Sequence, residues 1–414
     1  MKVLLKAYII ALIFCGCFTP IYGQSLDSLL LLVVENNPEL KALNSEYEAE
    51  LQRVDQVSVL PNPTVGVGIP ILQPETRLGP QLMMVSASQM FPWFGTLDAK
   101  GDVVISMSKA KFERISALKL ELFYQVKSAY YNLNFLRIKS NLLDKKIALF
   151  ESLENISLVN VESGQSTTAD VFRIQLVIRE LQKQLAIIYN QELSFELEIN
   201  QVLNRDLTKP ILTPIEIEQK TLIGFDTSFY RIKITEHHPL IATLDMQIEA
   251  SENRQTVNNK LNNPTIGLGL DYSWVGERTD ANPINNGRDI LVPKVMITIP
   301  LYRKDYKAKN QEEIFQQEAL NYQKEALIDK TIRFLFQYKL DYDNAIIEID
   351  FQKEQIVTTN QTIEILLTNY SSTGNGFDDL LQLENQLLYY EIGLLKGQLD
   401  KNIAIAKIDR LTDF

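Results

Sequence analysis

Side chains that readily do chemistry are sparse in this sequence. Its two histidines stand together as His237-His238. Neighbouring residues on a helix point apart, and no third histidine or nearby cysteine completes a metal-ligand set. A helix-start role is expected for the pair instead. Met83, Met84 and Met90 are soft ligands by type, but they fall on alternating faces of a strand pattern and are expected to pack. Gly66 and Gly68, and again Gly267 and Gly269, sit inside strand patterns rather than opening a helix, so they form no nucleotide fingerprint. No Ser/His/Asp or Cys/His set is visible, and scattered carboxylates among 52 acidic residues carry no catalytic signal. Neither an enzyme, a cofactor nor a resident metal is expected.

Two acidic residues are better placed. Asp170 closes the polar stretch ESGQSTTAD (162–170), and Asp379 closes SSTGNGFDD (371–379). Aspartate favours helix starts, so each can cap the helix that follows. Gly164, Gly374 and Gly376 suit a tight turn within these stretches.

The elements that position them come in duplicate. PNPTVGVGI begins at Pro61 and NNPTIGLGL at Asn262. At a fixed offset of 201 residues, Pro38, Ala49, Arg53, Asn62, Pro63, Thr64, Gly66 and Gly68 each meet an identical residue. The offset later drifts to 208, where MFPWF (90–94) meets TIPLY (298–302), and to 209 at the acidic stretches. So many identities in register mean an internal duplication, and a period near 200 is too long for a solenoid. The expected layout is a leader over 1–23, a first unit over 24–209, a connector over 210–230 and a second unit over 231–414.

Each unit reads helix, strand, strand, long helix, tip, long helix. Strands are expected at 63–71 and 81–91, then at 264–275 and 290–301, from period-2 alternation. Val65, Val67, Ile69 and Ile71 form one face against Thr64, Gly66 and Gly68. Ile266, Leu268, Leu270, Tyr272 and Trp274 oppose Gly267, Gly269, Asp271 and Ser273. Leu291, Val295, Ile297 and Ile299 oppose Lys294, Met296 and Thr298. Glycine weakens a soluble strand, and these runs have the length that crosses a tilted bilayer. Trp93 and Trp274 are then expected at lipid–water boundaries.

Between Gly101 and Gly164 lie 62 residues without Gly or Pro, ~93 Å if helical; between Pro300 and Gly374 lie 73, or ~110 Å. Such lengths imply coiled-coil packing. Leu122, Val126, Ala129, Leu133, Leu136, Ser140, Leu143, Ile147 and Phe150 alternate by four and three, a heptad seam.

Residues 1–23 read as a signal peptide: Lys2 and Lys6, an apolar run from Ala7 to Phe18, and a small residue before Gln24. Cleavage after Gly23 would remove both cysteines, Cys15 and Cys17; lipidation at Cys17, with an unfavourable Phe14 before it, is the second reading. Without the two leader lysines, 39 basic and 52 acidic residues leave a net charge of −13. That argues against nucleic-acid partners.

Four strands cannot close a membrane barrel, and open edges in lipid leave backbone groups unpaired. Three chains with closed symmetry would pool twelve strands. With NNPEL at Asn36, PNPTVGVG at Pro61, QMFPWFG at Gln89 and their second-half counterparts, the chain resembles the TolC-like outer-membrane efflux proteins over its whole mature length. The resemblance implies a mainly α fold with transmembrane β. Duplicated coiled-coil hairpins form a periplasmic α-barrel, and four strands per chain build a twelve-stranded trimeric β-barrel. It implies a homotrimer in outer-membrane lipid that meets a periplasmic adaptor (a membrane fusion protein) and an inner-membrane pump of RND or ABC type. The role would be passive exit for metal cations or drugs. It also implies an acidic constriction at the tips, which falls on Asp379 with Gln382 one turn on, and on Asp170 with Arg173 in the first unit. An Asp–Arg contact between the Asp379 and Arg173 helices could latch such a gate; capping alone is the competing role. A periplasmic coiled-coil adaptor or scaffold is the alternative for the whole chain, and it would not need two strand pairs with an apolar face.

Overall fold

The computed structural model describes residues 25–164, 166–218, 220–222, 224–373 and 376–414. The leader with Cys15 and Cys17, and the tip residue Gly374, lie outside the described residues.

In chain order the elements are α1 (Leu26–Asn36), α2 (Pro38–Val57), β1 (Thr64–Gly68), β2 (Glu75–Thr76), β3 (Gly79–Phe91), α3 (Thr96–Glu162) and α4 (Thr168–Val202). The second half supplies α5 (Thr227–His237), α6 (Pro239–Leu261), β4 (Thr265–Val275), β5 (Ile290–Thr298), α7 (Lys304–Thr373) and α8 (Phe377–Thr412). Apart from β2, the two halves contain the same kinds of element in the same order. Their junctions match in chemistry too. Asn37 Oδ1 accepts the amides of Glu39 and Leu40 at the start of α2. Its counterpart His238 accepts the amide of Leu240 through Nδ1 at the start of α6. In each case a side-chain acceptor satisfies amides that the first helical turn leaves unpaired, just before a proline that needs none.

The chain forms two compact units, each drawn from both repeats. Of the described residues, one contains those from Ser25 to Lys41 with Leu118–Ile232 and Thr331–Phe414; the other contains Ala42–Ala117 and Lys233–Lys330.

The first unit is helical. The heptad seam of α3 is its core: Leu122, Val126, Leu133, Leu143 and Phe150 are buried, and Leu143 and Phe150 pack with Ile174, Leu181, Tyr370 and Leu387 from the other long helices. The Tyr370 hydroxyl bonds Ser157 Oγ at 3.2 Å and accepts from Asn160 Nδ2 at 3.3 Å. Lys146 is buried on α3 between two α8 carboxylates, Glu384 at 3.1 Å and Glu391 at 3.4 Å. Glu384 and Glu391 are one heptad apart, so the lysine fixes the register of α3 against α8; losing one partner would leave a buried charge unmatched. The segment after α4 lies along these helices. Arg137 donates to the Ile211 carbonyl and to Thr213 Oγ1 while pairing with Glu196, and Asn402 Nδ2 donates to the Glu218 carbonyl.

The second unit holds an antiparallel sheet in the order β1-β3-β4-β5, with β2 pairing β3. β3 to β4 is the seam between repeats, running from Gln81↔Val275 to Phe91↔Ile266 with an irregularity at Gln81/Met83. The first strand is shorter than the alternation suggests. It ends at Gly68, so Ile69 and Ile71 leave the ladder. Pro70 lacks the N–H that would continue it. At the other end of β3, Gly79 has φ +135°, and a Cβ there would lie 1.7 Å from the Gly276 carbonyl oxygen. The Gly276 amide donates to Pro80 O and the Gly287 amide to Leu78 O, each at 2.8 Å, which ties the β4–β5 loop to the start of β3.

Candidate functional site

Two places gather the features that the sequence singled out: the turn between the long helices, and the faces of the sheet.

At the turn, Gly164 and Gly376 adopt φ +73° and +88°, the left-handed region that favours glycine. Thr167 is the N-cap residue of α4, and the side chain of Asp170 three positions on reaches back to it. The Asp170 carboxylate accepts the Thr167 amide at 3.0 Å, the Thr167 hydroxyl at 2.8 Å and the Ser166 hydroxyl at 3.0 Å. Burial alone would raise the Asp170 pKa. The Thr167 amide, the two hydroxyls and the Arg173 guanidinium outweigh it and hold the group below its ordinary value of 3.8. Asp170 is thus a cap. Its stabilising effect is complete above about pH 4 and is lost as the pH falls through the lowered folded value. We expect the protection of the Thr167 amide, its intrinsic exchange rate relative to the observed rate at each pH, to be high above pH 4 and to fall below it, and Asp170→Ala to cost the turn about 1 kcal/mol at neutral pH. Equal protection of this amide in Asp170→Ala and the parent at about pH 7 would remove that role.

Arg173, one turn on, joins the two tips. Its Nη1 donates to Asp170 Oδ1 at 3.2 Å and to Asp378 Oδ1 at 2.5 Å. An Asp–Arg contact thus joins the α4 and α8 helices, and the residue that makes it on α8 is Asp378 rather than Asp379. Successive helical residues differ by about 100° in direction, and of the two exposed aspartates the rotation of α8 brings Asp378 to Arg173. Gln382 is also exposed and shares a face of α8 with Asp378, Gln386 and Tyr389. The duplication aligned Asp170 with Asp379 and pointed one residue too far; no signal in the sequence alone marks Asp378 over its neighbour.

The sheet has one apolar face that is exposed along its length. Val65 and Val67 are 68% and 66% exposed, Leu268 53%, Val295 68% and Ile297 60%. Registers place them side by side: Val67↔Val85, Leu270↔Ala87, Leu268↔Val295 and Ile266↔Ile297. From Ile266 to Trp274 this face spans eight residue steps, ~27 Å of strand. Aromatic side chains stand at both ends. Trp274 meets Tyr272 edge-on at one, and Trp93, Phe94 and Tyr302 are exposed just beyond the other.

The opposite face carries the glycines, and the structure gives them a use. A Cβ on Gly66 would lie 2.8 Å from Ser86 Oγ, and one on Gly267 would lie 2.5 Å from Met90 Sδ and 3.1 Å from Met296 Cε. Neighbouring side chains lie across the glycines instead of standing off the sheet. Met84 and Met90 fall on this face and Met83 on the other, as the alternation implies. Among the described residues β1 and β5 each pair with a single strand, so both outer edges of the sheet present backbone groups without a strand partner.

Among the described residues no group of three or more His, Cys, Asp or Glu is placed to hold a metal ion. No described helix is long and apolar enough to cross a membrane.

No family model and no curated protein matches the chain. Solved structures do. CusC, described for the changes accompanying its folding and transmembrane channel formation, superposes at TM-score 0.76 and 13% identity, over 94% of this chain and 92% of that one. The outer membrane protein VceC of Vibrio cholerae gives 0.73 at 12% identity, over 94% and 95%. The open-state outer membrane channel MtrE of Neisseria gonorrhoeae gives 0.74 at 15%, over 94% and 88%. The chain has the fold of these outer-membrane channels.

Proposed function

We propose that this chain is one third of a trimeric outer-membrane channel-tunnel, a TolC-like passive exit for the substrates, metal cations or drugs, of a tripartite efflux pump. The observation that carries the reading is the sheet: an apolar face of bilayer height, aromatic side chains at both rims, and two open edges. In water such edges invite aggregation, and in lipid they are excluded. Pairing β5 of one copy with β1 of the next removes every edge. Three copies then give twelve strands, above the eight of the smallest natural single-chain barrels. The fold shared with solved outer-membrane channels supports the same reading. The helical hairpins would continue the conduit into the periplasm, where their tips meet a membrane fusion protein fed by an inner-membrane pump.

Membrane fractionation followed by size analysis in mild detergent tests the assembly. The expected result is an outer-membrane trimer. A monomer soluble without detergent would overturn the proposal.

On this reading Arg173 is a latch between two tips. It is 51% exposed and Asp378 is 68% exposed, so the pair contributes only about 0–1 kcal/mol. That is enough to bias a gate without holding the fold. Arg173→Ala is expected to raise single-channel conductance or opening frequency with unfolding unchanged, and Asp378→Asn to do the same without adding to it. Independent, additive effects of the two substitutions would show that the contact does not gate.

A further inference from the structure

Along β1, β3, β4 and β5 only two residues carry formal charge, Asp271 and Lys294. Both lie on the glycine face. Lys294 stands directly opposite Gly269 in the ladder, and Asp271 is two residues farther along β4. To reach it, the lysine stem runs flat over Gly269: a Cβ there would lie 2.9 Å from Lys294 Cε and 3.0 Å from Cγ. The Nζ then sits 2.7 Å from Asp271 Oδ1 and 2.9 Å from Oδ2. The pair remains within reach of solvent, with side chains 36% and 21% exposed.

We propose that the Lys294–Asp271 pair determines the ion selectivity of the barrel section, by cancelling the one carboxylate that these four strands place on the glycine face. This rests on the channel reading, in which the glycine face lines the conduit. Three copies bring three pairs to one level of the wall. With both members charged, that level presents no net charge to a passing solute, although the chain as a whole carries −11. Gly269 is the positioning residue. Without its recess the ammonium would stand into the conduit, and the carboxylate beside it would be left bare. A cross-strand ion pair also steadies a sheet, but a purely structural role would not set the sign of permeating ions.

The test uses the full-length protein in planar bilayers, with reversal potentials read across a potassium chloride gradient. Lys294→Gln leaves three uncompensated carboxylates and is expected to raise the cation-to-anion permeability ratio about twofold, the effect of a wall charge several ångströms from the path in screened water. Asp271→Asn is expected to lower the ratio by a similar factor, and the double variant to return near the parent. If one single variant fails to assemble, the other still decides by the sign of its shift. Unchanged reversal potentials in conducting single variants, or shifts of the same sign, overturn the inference and leave the channel reading standing. Absence of conductance from the parent protein overturns the channel reading and this inference with it.

Discussion

Gly79→Ala is expected to unfasten the β4–β5 loop from the sheet and to prevent assembly of most of the protein. Two independent costs meet at this residue. Its φ of +135° lies where side chains are strained, worth about 1–3 kcal/mol. The added methyl would also overlap a backbone carbonyl, Gly276 O, at 1.7 Å, and a carbonyl held by its own loop cannot swing aside as a flexible side chain would. Overpacking of this kind adds about 1–3 kcal/mol. The readout is local as well as global. The amides of Gly276 and Gly287 donate to Pro80 and Leu78 on either side of Gly79, so their hydrogen exchange should accelerate first, with the yield of folded protein falling alongside. Gly68→Ala is the control. Its added Cβ would find Met84 Cε at 3.9 Å, an ordinary contact, and near-parental behaviour is expected. Equal effects at the two positions would mean that any loss of glycine freedom, not this clash, weakens the sheet.

The difference between those glycines shows what the sequence could and could not convey. Period-2 alternation assigned strand faces correctly from Val65 to Ile297, because one buried or lipid-facing side imposes a regular pattern on the chain. The heptad on α3 identified Leu133, Leu143 and Phe150 as core for the same reason. The duplication paired Asn37 with His238, and both cap helices. What stayed hidden depends on contacts between distant segments. Gly79 needs its φ because of a loop some 200 residues away in the chain. Asp378 takes Arg173 because of how α8 is rotated, a variable that local spacing does not contain. In the alternation Lys294 and Asp271 are only residues opposite the apolar face of two separate strands; the register that puts Lys294 across from Gly269 makes them a pair. Ile69 and Ile71 fit the alternation yet lie outside the ladder, and there Pro70 was the legible warning.

Placing arginine at Val295 is the substitution that best separates lipid from water on the apolar face. Val295 is 68% exposed and sits at mid-strand opposite Leu268. If that face is wet, a surface Val→Arg change alters stability by no more than about 0.5 kcal/mol. If it meets hydrocarbon, arginine near the bilayer midplane costs about 2–4 kcal/mol per chain, multiplied by three in a trimer. The expected result is therefore loss of the outer-membrane fraction and of detergent-stable trimer in Val295→Arg. Val292, on the same strand but the glycine face, is 46% exposed and provides the matched comparison. The same chemical change there faces an aqueous conduit on the proposed reading, so Val292→Arg should assemble and insert. The argument turns on the contrast, since both residues are exposed in the single chain and both changes add the same side chain to the same strand. Retention of both variants in the membrane fraction would mean that the apolar face does not meet lipid, and the shared barrel would fall with it.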